Sequence, residues 1–556
     1  MSENTIKIDG REVVLNGEKN LLEVIRKAGI DLPTFCYYKE LSIYGACRMC
    51  MIEYANGSLD AACSAQPRPG MEIYTNTPKL RKHKKMILEL LLANHCRDCT
   101  ACAKNGNCKL QEFADRYGVR QIRFKNTAPV PALDASSVSI LRDTNKCILC
   151  GSCVRMCSEV QNVHAIDFVR RSSNIQVSPA FDGPIAESPC VGCGQCAAVC
   201  PTGAITVQDD TDRLWDDLGD RNAFVAAQIA PAVRVAVAKE FGLATDSDTT
   251  GKIVAAMHRI GFDRVYDTST GADITVIEEA NEFAKRLETG ENIPLFTSCC
   301  PAWINYASKK HPELLNRNIS SCCSPMQMFA SVLQELHKDE DGKRFVSVAI
   351  MPCTAKKFEA AREEFIKDGK RRVDYSMTTQ ELIRMIRRAG IDFAALTPEP
   401  MDDPLPAYSG AGVIFGVTGG VTEAVLRYLG ADLRNAAESG TRGLEGIKEF
   451  DLPYQGKTLK IAVVSGLKNA ETIIERIQSG SHYDLIEVMA CPGGCINGGG
   501  QPIGSENTRS ERMCELYEQD ENCELRASQE NPTVKALYEQ LLHGREHELL
   551  HVKYRV

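Results

Sequence analysis

The cysteines of this chain constrain its fold more than any other feature. There are 25 of them among 556 residues, and those before residue 205 fall into four groups of four. After Cys200 the next cysteine is Cys299, so the density changes abruptly. The start, MSENTIKIDG, has no export signal, and cysteines of cytoplasmic chains are more often metal ligands than disulfides. The sequence therefore predicts a cytoplasmic metalloprotein with small modules in front of one large domain.

Charge and motif content exclude several classes of function. The net charge of −8 argues against a general affinity for nucleic acid or anionic membranes. No apolar run approaches the roughly 20 residues of a membrane-spanning helix. No G-x-G-x-x-G loop follows a strand pattern, and neither a Walker A loop nor H-E-x-x-H occurs. A nicotinamide or flavin site is therefore expected on another subunit, if one is involved.

The first predicted domain, residues 1–78, has the pattern of a small ferredoxin. Two strand patterns flank Asp9-Gly10, and the helix pattern LLEVIRKAGI follows. Four thiolates on a long loop with one distant anchor favour a 2Fe-2S cluster in a β-grasp fold, and a zinc site is the alternative. The expected ligands are Cys36, Cys47, Cys50 and Cys63.

The second predicted domain, residues 79–126, opens with the helix pattern KLRKHKKMILELLLANH. A histidine and three cysteines follow at spacings that favour a 4Fe-4S cluster with one imidazole ligand. The imidazole removes one thiolate charge, which tends to raise the reduction potential. The expected ligands are His95, Cys99, Cys102 and Cys108. This signature resembles that of the iron-only hydrogenases and of the large iron–sulfur subunit of complex I, and the resemblance implies no ligand role for the intervening Cys96.

The third predicted domain, residues 127–208, contains two C-x2-C-x2-C-x3-C runs, the second ending in Cys200-Pro201. This is the pattern of bacterial two-cluster ferredoxins, in which the fourth cysteine of each run serves the other cluster. The first 4Fe-4S cluster is expected on Cys147, Cys150, Cys153 and Cys200, and the second on Cys190, Cys193, Cys196 and Cys157. The front half is therefore predicted to conduct electrons.

The fourth predicted domain, residues 209–556, alternates strand and helix patterns. Strand patterns end in loops rich in proline, glycine and cysteine, and helix patterns lie between them. This alternation favours parallel sheets covered by helices, which bind ligands beyond the carboxyl ends of their strands. A buried active site is expected there. The strand patterns cover residues 224–229, 292–296, 344–350, 460–464 and 483–488.

Three motifs in this domain resemble the signatures of the iron-only (FeFe) hydrogenases. They are TSCCPAW, MPCTAKKFE and EVMACPGGCINGGGQP, which begin at residues 297, 351 and 487. With the order of the modules, which is also similar to that in the large iron–sulfur subunit of complex I, the resemblance covers nearly the whole chain. The order of the modules resembles that of multi-cluster, clostridial-type catalytic chains. The resemblance implies an α/β catalytic domain with two parallel-sheet lobes around an H-cluster, preceded by small α+β iron–sulfur modules.

The resemblance also implies how the H-cluster is held. This cofactor is a 4Fe-4S cluster joined to a diiron subsite that carries CO, cyanide and a bridging dithiolate amine. Cys495 would bridge its two parts. The implied ligands of the 4Fe-4S part are Cys300, Cys353, Cys491 and Cys495.

Side chains around the diiron subsite have implied roles as well. Lys356 would donate to cyanide, with backbone amides near Pro231 and Pro325 helping. Met351 and Met489 would exclude water, and ordinary core packing is the alternative for either methionine.

A proton relay is implied from Cys299 through Glu279 and Ser320 to Glu282, with Arg286 beside it. The two glutamates are three residues apart and therefore share one face of a helix. Without the resemblance, a solvated helix face would be the alternative interpretation.

The chain departs from the family pattern at one loop. Where the family commonly has Ser-x-Lys-Ser-Pro, this chain has Ser321-Cys322-Cys323-Ser324-Pro325, and Met326 stands where glutamine is common. Because this chain lacks the positive charge of that lysine, the sequence does not predict the reduction potential of the cluster, the preferred direction of catalysis or the oxygen tolerance. Cys323 is either a redox-active thiol or a small buried side chain. Cys514 and Cys523 have no expected partner.

The implied activity is the reversible reduction of protons to H2, with ferredoxin or a similar small carrier as electron partner. Maturation proteins would supply the diiron subsite. An alternative is the catalytic subunit of an electron-bifurcating complex with NAD(P)H-oxidising subunits. A hydrogen sensor is less expected, because no segment is left for a signalling module. A non-catalytic assembly factor is disfavoured by the complete cysteine loops. The oligomeric state is open.

Overall fold

The computed structural model describes most of the chain. The described residues are 4–125, 132–245, 248–338, 340, 342–431, 433, 440–504 and 507–555. The predicted domain boundary between residues 126 and 127 lies outside these ranges. Within them, no helix combines the length and the apolar character needed to cross a membrane.

The first module is a five-stranded sheet with one helix packed on it. Its order is β2-β1-β5-β3-β4, and only the β1–β5 pair is parallel. The turn between the first two strands is made by Asp9 and Gly10, both with positive φ. Asn20 caps the helix by accepting from the Glu23 amide. The elements are β1 Thr5–Ile8, β2 Arg11–Val14, α1 Leu21–Lys27, β3 Met51–Tyr54, β4 Leu59–Ala61 and β5 Glu72–Tyr74.

Four helices and two small two-stranded antiparallel sheets follow. Strand β6 pairs antiparallel with β9, which joins the start and the end of the two-cluster region, and β7 pairs with β8. The elements are α2 Pro78–Ala93, α3 Lys109–Arg116, β6 Ile140–Arg142, α4 Ser152–Arg155, β7 Asp167–Val169, β8 Gln176–Ser178, α5 Gln195–Ala198 and β9 Ile205–Val207.

The large domain contains two four-stranded sheets. The first has the order β11-β10-β13-β16 and is parallel throughout. The second has the order β12-β19-β18-β17. The strands are β10 Ala223–Ile229, β11 Arg264–Asp267, β12 Leu295–Phe296, β13 Arg344–Met351, β14 Ile366–Lys367, β15 Lys370–Arg371, β16 Tyr375–Thr378, β17 Ile447–Tyr454, β18 Lys457–Ser465 and β19 Leu485–Met489.

The second sheet differs from an all-parallel lobe at its edge. Strand β17 runs antiparallel to β18, because Gln455 and Gly456 both adopt positive φ and close a tight hairpin. At the other edge β12 is only two residues long, although the sequence pattern began at residue 292. Pro294 has no N–H to donate to a neighbouring strand, which accounts for the late start.

Helices cover the two sheets, and three of them start with proline immediately after a loop that the sequence singled out. Pro231, Pro301 and Pro325 occupy the first helical turn of α7, α10 and α11, where their fixed φ suits the helix and no N–H is missed. The helices are α6 Thr211–Gly219, α7 Pro231–Glu240, α8 Asp248–Ile260, α9 Thr268–Thr289, α10 Pro301–Lys310, α11 Pro325–Leu336, α12 Ala355–Ala360, α13 Thr379–Arg388, α14 Gly410–Val413, α15 Gly420–Tyr428, α16 Leu467–Gln478, α17 Thr508–Asn522, α18 Pro532–Leu537 and α19 Glu546–Leu550.

A buried ion pair fixes the start of the long helix α9. Asp267 caps this helix by accepting from the Ser269 amide at 2.8 Å, and its other oxygen pairs with the fully buried guanidinium of Arg234. Breaking such a pair by removing one partner typically costs about 3–5 kcal/mol, because the other charge is left buried and unpaired. The helix that carries Glu279 and Glu282 is therefore anchored to α7.

Candidate active site

The structure brings together the cysteines of the two-cluster region in two separate cavities. The cysteines that line one cavity are Cys147, Cys150, Cys153 and Cys200. Those around the other are Cys157, Cys190, Cys193 and Cys196. The fourth cysteine of each run thus faces the cavity of the other run, which is the exchange expected from the sequence. Each cavity offers the four thiols that a 4Fe-4S cluster needs.

The two front modules also gather their expected ligands. A hydrogen bond with the Cys47 thiol lowers the pKa of Cys36 to about 6, and a hydrogen bond with Cys50 lowers the pKa of Cys63. The residues of the second module that share one cavity include His95, Cys96, Cys99, Cys102 and Cys108.

His95 is suited to metal binding. Its Nε2 is buried without a hydrogen-bond partner among the described residues. Burial lowers its pKa, which favours the neutral imidazole that a metal ligand requires. The cavity and the free nitrogen fit the expected histidine-ligated cluster.

Both front modules contact residues next to the cavity that Cys200 lines. The Arg155 guanidinium, close to Cys153 in sequence, donates to the Cys36 carbonyl at 2.7 Å. On the side of the histidine module, the Lys109 amide donates to the Pro201 carbonyl at 3.1 Å. The contacts therefore converge on one of the two ferredoxin-like sites from two directions.

The other ferredoxin-like site abuts the large domain. A Cβ at Gly499 would lie 2.5 Å from the Cys193 carbonyl oxygen, so only glycine allows this approach of two backbones. The Gln195 amide donates to the Cys491 sulfur at 3.1 Å and to the Asn497 carbonyl at 2.9 Å. Sequence reasoning missed Gln195, since nothing local distinguishes it from other polar residues of the run.

At the carboxyl ends of the two sheets, loops that are distant in sequence enclose a fourth cavity lined by cysteines, the sulfur-lined cavity of the large domain. Cys353 follows β13 of the first sheet, whereas Cys300 and Cys491 follow β12 and β19 of the second. The Ala490 amide donates to the Cys300 sulfur at 3.4 Å. Cys193 and Met489 also face this cavity. The four cysteines expected from the resemblance line it together: Cys300, Cys353, Cys491 and Cys495.

An adjoining cavity of about 70 Å³ shares Cys299, Cys353, Lys356 and Cys495 with this one. It is larger than the sulfur-lined cavity beside it, about 30 Å³, and mostly apolar. Its other walls include Pro231, Met326, Pro325, Met351 and Phe415. The position of Cys495 between the two cavities fits a ligand shared by two metal groups.

The two methionines expected in the apolar wall are divided between the cavities. Met351 faces the larger one, and Met489 faces the sulfur-lined one. Phe415 and Met326 complete the wall of the larger cavity. Phe415 carries no sequence signal, because its contact with the site depends on the packing of the segment after α14.

Lys356 points its charge into this region. Its Nζ donates to the Cys299 carbonyl at 3.3 Å and to Glu359 Oε2 at 2.8 Å. Burial acts to lower the pKa of Lys356, but the Glu359 carboxylate raises it above its ordinary value, so the ammonium stays charged. Glu359 was not among the expected site residues, although its position three residues after Lys356 on α12 is a usable signal.

The residues of the expected relay lie next to one another. Ser320 Oγ donates to Glu282 Oε2 at 3.2 Å, and Arg286 pairs with the other oxygen of Glu282. The Cys299 thiol is buried, and burial with the nearby Glu279 raises its pKa well above the ordinary value. Arg286 also donates to backbone carbonyls, including that of Asn318 at 3.2 Å, which holds Glu282 in place.

Glu279 is the most unusual group of the relay. It is completely buried on α9, and neither carboxyl oxygen has a hydrogen-bond partner among the described residues. Burial, with a smaller contribution from Glu282, raises its pKa to about 8. A carboxyl group with this pKa can both release and accept a proton near neutral pH.

The loop of residues 321–325, which differs from the family pattern, places two thiols in different surroundings. Arg372 Nη1 lies 3.6 Å from the Cys323 sulfur, and burial raises the pKa of this thiol to about 12. Such a thiol is unreactive, which favours the interpretation of Cys323 as a small buried side chain. The Cys322 sulfur instead lies 3.7 Å from Glu282 Oε2. Cys514 is exposed and Cys523 is partly buried.

Comparison with known families gives matches along most of the chain. Residues 2–78 match a 2Fe-2S iron–sulfur cluster binding domain, and residues 84–123 match the NADH-ubiquinone oxidoreductase-G iron–sulfur binding region. Residues 146–204 match a 4Fe-4S dicluster domain. Residues 223–499 match the iron only hydrogenase large subunit, C-terminal domain, and residues 506–556 match the iron hydrogenase small subunit.

Individual relatives show the same similarity. The chain is 39% identical to the NADP-reducing hydrogenase subunit HndD of Solidesulfovibrio fructosivorans, covering 100% of this chain and 99% of that one. It is 35% identical to iron hydrogenase 1 of Clostridium pasteurianum, over 99% of this chain and 100% of the relative. A solved variant of the [FeFe]-hydrogenase HydA1 from Chlamydomonas reinhardtii is 37% identical, covers 62% of this chain and 98% of that chain, and gives a TM-score of 0.56.

The raised pKa of Glu279 predicts a specific pH dependence of stability. The folded protein holds this proton up to about pH 8, whereas an unfolded glutamate releases it near the ordinary pKa of 4.5. Stability should therefore fall as pH rises between these values, by up to a few kcal/mol at about 1.4 kcal/mol per unit. Glu279→Gln should lack this contribution, so its melting temperature relative to wild type should rise with pH.

The measurement is the melting temperature of both proteins between pH 5 and pH 8. Glu288→Gln, which removes an exposed carboxylate from the same helix, is the matched control. A difference between Glu279→Gln and wild type that stays constant with pH would contradict the raised pKa.

Proposed function

Because the chain belongs to the iron-only hydrogenase family, we propose that it catalyses the reversible reduction of protons to H2 and conducts the electrons through its own iron–sulfur clusters. The observation that carries the proposal is the shared wall of two cavities. One is lined by four cysteines and touches Cys193 of the ferredoxin-like region, and the other adjoins Lys356 and Cys299. Electron and proton routes thus meet at one buried place.

The proposed cofactors are one 2Fe-2S cluster, three accessory 4Fe-4S clusters and one H-cluster. Cys300, Cys353, Cys491 and Cys495 would hold the 4Fe-4S part of the H-cluster in the sulfur-lined cavity, and the larger cavity would receive the diiron part. When bound, the H-cluster supplies redox-active iron at which protons and electrons combine. The proposed domains are residues 1–78, 79–126, 127–208 and 209–556, and each matched family range lies within one of them.

Lys356 is proposed to stabilise anionic ligands in the larger cavity. Its ammonium group stays charged because Glu359 pairs with it, and the surrounding wall is mostly apolar. A hydrogen bond from a charged donor is strongest where water is excluded. Pro231 and Pro325 begin helices at the same wall, so backbone amides of their first turns are candidates for additional donors.

The proposed proton relay runs between the larger cavity and the partly exposed Glu282. The Cys299 thiol would exchange a proton with Glu279, whose pKa of about 8 suits it to both directions of transfer. Ser320 Oγ would pass the proton between Glu279 and Glu282, to which it already donates. Arg286 is a positioning residue, since it holds one oxygen of Glu282 and leaves the other free for Ser320.

Two electron partners are proposed, because different observations favour them. The accessory clusters and the absence of a nucleotide-binding motif in the sequence favour a ferredoxin-type carrier. The full-length similarity to a subunit of an NADP-reducing hydrogenase favours a complex in which a separate subunit binds the nucleotide. Maturation proteins that insert the diiron subsite are required in either case.

The two partner hypotheses make a common prediction for the isolated, matured chain. Under H2 it should reduce ferredoxin or a viologen dye but not NADP⁺, because the sequence has no nucleotide-binding motif. NADP⁺ reduction should appear only after co-purification with a nucleotide-binding subunit. Reduction of NADP⁺ by the chain alone would contradict both hypotheses.

The relay predicts different outcomes for the two adjacent cysteines. Cys299→Ser replaces the thiol by a hydroxyl group, which is a much weaker acid than a thiol in the same surroundings, so turnover should fall by about 10²–10⁴-fold, the usual contribution of acid–base transfer. Its infrared bands of metal-bound CO and cyanide should remain, because no proposed iron ligand is changed. Cys300→Ser should instead damage the 4Fe-4S part. Wild-type turnover in Cys299→Ser, or loss of its infrared bands, would exclude this division of roles.

A further inference from the structure

We propose that Glu282, Cys322 and His551 form a binding site for a zinc ion on the outer side of the active-site region. A carboxylate oxygen, a thiol sulfur and an imidazole nitrogen of these residues lie within 4.8 Å of one another. The Cys322 sulfur and Glu282 Oε2 are already 3.7 Å apart. Ligand atoms around a tetrahedral zinc ion are roughly 3.3–3.8 Å apart, given bond lengths of about 2.0–2.3 Å. Closing the remaining distance requires shifts of about 1 Å.

The backbone holds the histidine beside the cysteine. The segment after α19 pairs with the loop before α11 through a bridge between Cys322 and His551. Two hydrogen bonds of 2.8 Å flank it, from the Cys323 amide to the Leu550 carbonyl and from the Val552 amide to the Ser321 carbonyl. The arrangement is therefore built by main-chain pairing, not by the chance proximity of mobile side chains.

Neighbouring side chains orient His551 and Glu282 toward the proposed ion. Glu278 Oε2 is 3.0 Å from His551 Nε2, and Tyr538 donates to the other oxygen of Glu278. A carboxylate on one ring nitrogen is the usual support of a metal-binding histidine, whose other nitrogen then faces the ion. On the opposite side, Arg286 holds Oε1 of Glu282 and leaves Oε2 toward Cys322.

The other ring nitrogen, Nδ1, is linked to the Glu282 carboxylate through one serine hydroxyl. His551 Nδ1 lies 2.9 Å from Ser321 Oγ, which in turn donates to Glu282 Oε2 at 2.9 Å. The serine hydroxyl thus bridges the two ligands in the metal-free arrangement. A zinc ion would replace this bridge, with a water molecule or the hydroxyl as fourth ligand.

The donor set selects the metal. A thiolate, an imidazole and a carboxylate suit Zn²⁺, whereas Mg²⁺ and Ca²⁺ require oxygen ligands throughout. Burial raises the pKa of the Cys322 thiol well above its ordinary value, so metal binding would release this proton. The side chains of Glu282 and His551 are 15% and 13% exposed, which leaves a path from solvent.

The site has a consequence that rests on the proposed function. Glu282 is the outer carboxylate of the proposed relay, and one oxygen cannot bind zinc and accept a proton from Ser320 at the same time. Zinc should therefore slow H2 formation and H2 oxidation alike, reversibly and without touching the clusters.

The test uses the fully matured enzyme, so that the cluster cysteines are occupied, with zinc chloride added in stoichiometric amount. X-ray absorption at the zinc edge should give one sulfur at about 2.3 Å and nitrogen or oxygen ligands at about 2.0–2.1 Å. Cys322→Ala and His551→Gln should each lose this signal and weaken zinc binding at least tenfold by calorimetry. Cys323→Ala, which removes the neighbouring buried thiol, is the matched control and should keep it.

A supporting variant leaves all three ligands in place. Glu278→Gln should weaken zinc binding about 10–100-fold, the usual effect of removing the carboxylate behind a metal-binding histidine. A zinc ion with three or four sulfur ligands would mean that zinc replaces iron at a cluster site. Unchanged zinc binding in both His551→Gln and Cys322→Ala would mean that the zinc ion lies at another site. Either result overturns the proposal.

Turnover measured with and without zinc separates this site from the relay. If zinc inhibits turnover of wild type and Cys323→Ala but not of His551→Gln, the result supports both the zinc site and the role of Glu282 in proton transfer. Zinc bound with the expected shell but without effect on turnover supports the site and contradicts the role of Glu282 in proton transfer.

Discussion

Thiol groups are buried in sets of four, and the surrounding parts of the fold are arranged around them. Burial raises the pKa of Cys147 to about 12 and that of Cys353 to about 11, and it raises the pKa values of Cys193, Cys196 and Cys491 well above the ordinary range. Thiolates can be held in such places only when a positive metal group balances them. Folding of these regions and cluster binding are therefore coupled, and the surrounding loops are shaped around what the cysteines hold.

The two-sheet architecture explains how the proposed electron and proton routes reach the same buried cavities from different elements. The carboxyl ends of both sheets supply the cysteines, so residues distant in sequence meet without long side chains. The close contact at Gly499 brings the ferredoxin-like region against the loop after β19. Helix α9, anchored by the pair of Arg234 and Asp267, brings the carboxyl groups of the proposed relay from a different element. The proposed routes of electrons and protons thus depend on separate elements of the fold.

Much of this arrangement could be predicted from the sequence because it depends on local spacing. The exchange of Cys157 and Cys200 between two cavities follows from the two cysteine runs, and the loops after β12, β13 and β19 follow from strand patterns that end in cysteine. The antiparallel edge strand β17 was not predicted, since its direction is set by a two-residue turn at Gln455. Gln195 and His551 contact the site only because long-range packing brings them there, which no local pattern reveals.

In the proposed function, one chain connects hydrogen chemistry to a continuous series of accessory clusters. Electron paramagnetic resonance of the matured, oxidised protein, frozen at short times after exposure to H2, tests it most directly. Signals of the reduced 2Fe-2S and 4Fe-4S clusters should appear on the timescale of turnover, without any added carrier. Accessory clusters that stay oxidised while the same sample reduces a viologen dye under H2 would contradict it.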